Sequence, residues 1–162
     1  MSAALDIAPA TPADVPLILG FIRELAEYEH LSDQVTATED ALRATLFGER
    51  PAAEVLIAHH DGVAAGFALY FQNYSTFLAK PGIYLEDLYV RPDQRGHGIG
   101  RALLAHIARL AVARGCGRFE WSVLDWNAPA IGFYRRLGAA PQDEWTIFRL
   151  SGDALKALAS PN

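Results

Sequence analysis

Residues 84–109, YLEDLYVRPDQRGHGIGRALLAHIAR, change periodicity once, and that change leaves few architectures open. Residues 84–90 are aromatic and branched, the composition of a strand. Pro92 and Asp93 stop that strand. Gly96, Gly98 and Gly100 follow in alternation. Ile99, Leu103, Ile107 and Leu110 then recur at helical spacing, with Arg101 and Arg109 off the stripe. A strand feeding a helix through a glycine turn is a unit of α/β sheets.

Such a turn suits an anion. The first four N–H groups of a helix lack intrahelical partners, and the helix dipole puts partial positive charge there. Glycines remove the Cβ atoms, so backbone donors can approach phosphate oxygens. Arg95 and Arg101 add positive charge. The same turn would also serve merely to pack a helix on a strand. The dinucleotide spacing G-x-G-x-x-G fails from Gly96, which reaches Arg101, and from Gly98, which reaches Leu103. A P-loop lysine is absent, since the only lysines are Lys80 and Lys156. What remains is R-x-x-G-x-G, read as Arg95, Gly98 and Gly100.

The other elements follow from local signals. Residues 5–8 read as an opening strand. Thr11, Pro12 and Asp14 start a helix that buries Val15, Ile18, Ile22 and Leu25 and runs to about Tyr28. Thr38 opens a second helix, ended by Gly48 and Pro51. Residues 54–60 and 63–70 form a hairpin through Asp61-Gly62. Residues 72–82 read as a loop or irregular extension, and 118–124 as a strand. Residues 127–137 read as a helix with Tyr134 on its buried side. A last strand is expected at 145–150 and a tail helix at 151–158. The order predicts a single α/β domain over 1–162, with a mixed central β-sheet flanked by helices.

Composition narrows the class. The chain has 162 residues, 51% hydrophobic and 20% charged, so it can bury a substantial core. No apolar run approaches the ~18 residues of a membrane span. The first residues show no basic region followed by an apolar core, so a cytoplasmic location is expected. Cys116 is the only cysteine and reads as a buried small residue. His59 and His60 read as surface residues, and no metal site is expected. The net charge of −5 argues against nucleic acid, and no membrane partner is expected. That charge is divided. Residues 91–118 hold six arginines and one acid, whereas 24–54 hold eight acids and two arginines. The basic segment suits phosphate, and the acidic one suits a cation or plain solvent.

Glu86 and Asp87 are adjacent carboxylates inside an apolar strand. Neighbours on a strand point to opposite faces, so both can enter one pocket only if the strand bulges. Buried carboxylates are costly, so at least one should line a wet or ligand-filled site, unless the pair is edge-exposed or salt-bridged.

These blocks together resemble the GNAT N-acetyltransferase superfamily: R-x-x-G-x-G, a strand, then Asn127 and Phe133-Tyr134-Arg135-Arg136-Leu137-Gly138-Ala139. The blocks at 23–29, 31–35, 84–90 and 123–127 are similar to the diamine acetyltransferases, the spermidine/spermine N1-acetyltransferase group, and especially to its thialysine branch. The resemblance implies the GNAT-type acyl-CoA N-acyltransferase fold. It also implies a homodimer and acetyl transfer from acetyl-CoA to the primary amine of a small molecule. It carries over site residues as follows. Glu86 matches the carboxylate implicated in amine deprotonation, and Tyr134 the general acid. Leu88, Tyr89 and Val90 match the strand that pairs with pantetheine. Arg95, Gly96, His97, Gly98, Ile99, Gly100 and Arg101 match the pyrophosphate turn. Asn127, Ala128, Pro129 and Ala130 match a further cofactor contact. Tyr28, Glu29, Glu86, Asp87 and Glu144 match the acceptor side. The short Asp61-Gly62 turn, Phe77 in place of a tryptophan and the shortened region before Trp145 depart from animal members on the acceptor side. Rival expectations are another acceptor (a drug, an amino acid or a protein N-terminus) or a non-catalytic acetyl-CoA-binding regulator.

Overall fold

The computed structural model describes residues 4–161. Residues 1–3, the start of the stretch read for a leader, lie outside the described residues, as does residue 162. The chain divides at Leu124/Asp125 into two compact units.

The first unit is a five-stranded sheet in the order β1 (Leu5–Pro9), β2 (Glu54–His60), β3 (Val63–Ser75), β4 (Lys80–Val90) and β5 (Phe119–Trp121). The first three pairings are antiparallel and β4–β5 is parallel, so the sheet is mixed as expected. Helix α1 (Val15–Tyr28) and helix α2 (Glu39–Phe47) cover one face. There Ile18, Phe21 and Leu46 pack with Val55, Ile57, Phe67 and Tyr89. Strand alternation sends Leu56, Ala58 and Ala68 to the opposite face, beneath helix α3 (Ile99–Ala113). Helix α3 buries Ile99, Leu103 and Ile107 of the expected stripe together with Leu104 and Ala111, while Leu110 is half-buried.

Local chemistry explains the ends. The Asp14 carboxylate accepts the Thr11 N–H at 2.8 Å before α1. Thr38 Oγ1 accepts the Ala41 N–H at 3.1 Å before α2. Asp61 and Gly62, with φ 51° and 78°, make the tight turn between β2 and β3. Helix α3 ends in a Schellman arrangement: Cys116 N–H bonds Ala111 C=O at 2.9 Å, and Gly115 N–H bonds Val112 C=O at 3.1 Å.

The second unit holds helix α4 (Ala128–Arg136) and helix α5 (Gly152–Ala159). Asn127 Oδ1 caps α4 by accepting the Ala130 N–H at 3.3 Å. The strand expected at 145–150 is not formed. Its aromatics are exposed, Trp145 by 79% and Phe148 by 93%. Extended chain becomes a strand only where a neighbouring edge satisfies its N–H and C=O groups, and this stretch gains no such edge among the described residues.

Smaller expectations are also revised. Of the two readings of residues 72–82, the strand extension holds: β3 and β4 continue the ladder to Ser75↔Lys80, and Phe77 lies at the exposed tip between them. The strand expected at 118–124 is only three residues long. Cys116 is half-buried, because it sits in the cap of α3 rather than in its stripe. Tyr134 is half-buried on a helix that buries no residue completely.

Candidate active site

The site is built around β4. Its register with β3 runs evenly from Gly66↔Val90 to Leu69↔Asp87, then slips to Tyr70↔Leu85. Glu86 is the extra residue, so a β-bulge lies between the two carboxylates. That is the condition under which neighbours escape strict alternation. Past the bulge, Asp87 faces the α1 side opposite Leu69, whereas Glu86 is exposed.

Desolvation, then repulsion from Glu86 and from Glu29, pushes the Asp87 carboxyl up from 3.8 to about 6. Glu29 follows the last residue of α1, and burial raises its pKa too. Three carboxylates from two elements therefore share one region. Tyr28 joins them through Arg95, whose guanidinium lies 5.1 Å from the Tyr28 ring centroid and 5.8 Å from that of Tyr89. The sequence assigned Arg95 to phosphate. In the fold its Nε donates to Val90 C=O at 3.0 Å, so it also braces the end of β4 against α1.

The far edge of β4 is open beyond the bulge. Strand β5 pairs only with Ile83, Tyr84 and Leu85, and a 2.7 Å bond between the Tyr84 and Ser122 hydroxyls lies at the last pairing. Residues 86–90 have no strand on that edge among the described residues. Backbone groups of alternate residues face opposite edges: Arg91 N–H bonds Ala65 C=O on the β3 side, so Tyr89 also faces β3, and the N–H groups of Leu88 and Val90 are left on the open edge for an extended amide-bearing ligand. Tyr89, expected among the residues that pair with the coenzyme, is instead part of the sheet: its backbone faces β3, its ring is buried and its hydroxyl meets Glu24 at 3.5 Å.

At the C-terminal end of β4 the chain enters the glycine turn. Gly96 and Gly98 have φ of 82° and 74°, a region that L side chains rarely adopt. A Cβ at either would meet nothing within 4 Å, so the space over the turn is clear. The first helical bond of α3 is Ala102 N–H to Gly98 C=O, at 3.0 Å. The N–H groups of Ile99, Gly100 and Arg101 precede it and are left for an external acceptor. Clear space, aligned donors and an open strand edge beside them fit a diphosphate carrying an amide-bearing arm.

Two parts of this region carried no sequence signal. Arg91 bonds Glu24 at 3.1 Å, stacks over Phe21 at 4.7 Å and donates to Ala64 C=O at 3.0 Å, clamping α1 to the end of β4. His60, expected at the surface, is half-buried and bonded. By contrast, the 270 Å³ cavity beside Tyr70, His106, Glu54 and Arg114 shares no residue with the site. Arg114 follows the last residue of α3, roughly 20 Å along the helix from the turn. Within the second unit, Asn127 is buried as the cap of α4, and Tyr134 lies about two turns further along, with its ring 5.6 Å from that of Phe133. Glu144 is exposed in that unit.

Among the described residues no cluster of His, Cys, Asp or Glu could hold a metal ion, and no helix is long and apolar enough to cross a membrane. Residues 21–139 match the family described as Acetyltransferase (GNAT) family. The chain is 43% identical to a thialysine N-epsilon-acetyltransferase of Sus scrofa, over 97% of this chain and 98% of that protein. It is 37% identical to the L-ornithine N5-acetyltransferase NATA1 of Arabidopsis thaliana, over 94% and 87%. The solved structure of an integron cassette protein from the mobile metagenome of V. cholerae superposes with a TM-score of 0.82, at 28% identity, covering 99% and 100% of the two chains.

Proposed function

Because this chain belongs to the GNAT family of acetyl-CoA-dependent N-acetyltransferases, we propose that its acceptor is a small primary amine carrying a second charged nitrogen, such as a thialysine-like amino acid, ornithine or a diamine. The observation that carries this reading is the grouping of Glu29, Glu86 and Asp87 beside the open edge of β4. One cation of the acceptor offsets their mutual repulsion, and the other nitrogen is presented for reaction.

The turn from Gly96 to Arg101 holds the coenzyme's diphosphate on backbone N–H groups, and the backbone of Leu88 and Val90 aligns its pantetheine arm. Asn127 to Ala130 contribute a further contact. A free alkylammonium, with a pKa of about 10.4, must lose a proton before it attacks. Glu86 takes that proton through water, while Asp87 and Glu29 hold the remaining cation with Tyr28 and Glu144. The C–N bond forms, the C–S bond breaks, Tyr134 donates its hydroxyl proton to the departing thiolate, and the surplus proton that the nitrogen sheds on becoming an amide restores the Tyr134 hydroxyl through solvent. The protein works as a homodimer of single-domain subunits in the cytoplasm.

Release of CoA, measured over a panel of thialysine, ornithine, spermidine, putrescine and aliphatic monoamines, tests this reading. Turnover should concentrate on acceptors with two nitrogens. Equal turnover of monoamines would remove the carboxylates from recognition. Cofactor binding without turnover on any amine would favour a regulator instead.

A further inference from the structure

The glycine turn has a brace on a different strand. His97 is the only residue with a side chain between Gly96 and Gly98, both at positive φ. Glycine segments lose much conformational freedom on ordering, so a turn built from them holds its donors in place only if something else fixes it. The His97 ring is fixed twice. Its Nδ1 lies 3.1 Å from Gln94 C=O, an oxygen that can only accept, so Nδ1 carries the proton. Its face meets the ring of His60, with centroids 4.8 Å apart and planes tilted by 46°. His60 in turn bonds Gln94 Oε1 through its own Nδ1 at 2.8 Å.

His60 is well placed to be the fixed end of this arrangement. It is the last residue of β2, paired with Leu5 of β1 on one side and Val63 of β3 on the other. The register with β3 shifts between Ala58 and His59, the extra residue lying on β3, but pairing with β1 stays even, so His60 keeps the face of Leu56 and Ala58, which α3 covers. The triangle of His60, Gln94 and His97 thus ties a rigid strand end to both the entry and the middle of the turn.

We propose that His60 is a positioning residue for the diphosphate turn: through His97 and Gln94 it holds the backbone donors preorganised for the coenzyme. This rests on the turn being the coenzyme site. It goes further by assigning part of coenzyme affinity to a residue outside the turn. Preorganisation lowers the ordering cost of binding without touching the chemical step.

The test uses the full chain, acetyl-CoA kinetics and CoA calorimetry. His60→Ala should raise KM for acetyl-CoA and Kd for CoA about tenfold, as for loss of a hydrogen bond and its ring contact, with kcat at saturation unchanged. His60→Phe keeps the ring contact and loses the bond to Gln94, so it should recover part of that loss. In the wild-type protein, saturating CoA should shift the NMR ring-proton resonances of both His60 and His97. Unchanged KM in folded His60→Ala would overturn the proposal, as would a kcat loss matching the KM rise. If His60→Ala does not fold, absence of any His60 shift on CoA saturation overturns it. Gly98→Val separates the two readings. If it abolishes CoA binding while His60→Ala leaves affinity intact, only the brace fails. If Gly98→Val binds CoA as wild type does, the coenzyme site itself is misplaced.

Discussion

Replacing Asp87 by asparagine should make the resting protein more stable while weakening its acceptor binding. The folded chain holds the Asp87 carboxyl at about 6, against 3.8 ordinarily, because burial and the charges of Glu86 and Glu29 disfavour the carboxylate. The folded state therefore binds this proton more tightly than the unfolded state does. Between about pH 4 and pH 6, stability falls as pH rises, and the full penalty applies above pH 6. A shift of roughly two units at 1.36 kcal/mol each sets a ceiling near 3 kcal/mol, and residual solvent access brings the expected gain to about 2 kcal/mol. Asparagine is nearly isosteric and cannot ionise. Urea unfolding of wild type and Asp87→Asn at a series of pH values from 4 to 8 reads the difference directly. The gain should be near zero at pH 4, grow across the window and level off above it. A gain independent of pH, or none at pH 7.5, would refute the electrostatic reasoning. The same variant should raise KM for a diamine without changing KM for acetyl-CoA.

Three further outcomes are expected. Tyr134→Phe should lower kcat about 100-fold with little change in CoA affinity, and unchanged kcat would remove the hydroxyl from the acid role. Arg95→Ala should raise the acceptor KM along with that of acetyl-CoA, because the guanidinium lies over Tyr28 as well as at the turn; an effect on acetyl-CoA alone would confine Arg95 to the phosphate. Gly98→Ala imposes a φ of 74° on an L side chain, and at a strain of about 1–2 kcal/mol it should lower the melting temperature measurably. An unaltered melting temperature would mean that the turn readjusts without strain.

Much of this protein is legible one residue at a time. The glycine turn, the α3 stripe, the caps at Thr11 and Thr38 and the Asp61-Gly62 hairpin depend on contacts a few residues apart, so their signals lie in short stretches of chain. The adjacency of Glu86 and Asp87 even stated the problem that a bulge solves. Where the bulge falls depends on how β3 and β4 align over their whole length, which no local pattern records. The same holds for the raised pKa of Asp87, which needs its burial against α1 and Glu29 brought from the end of that helix. It holds also for His60, which becomes a brace only once β2 ends beside residues 94–97. The failed strand at 145–150 is the converse case. Its side chains favour extension, but a ladder requires a partner edge, and only the packed chain decides whether one is there.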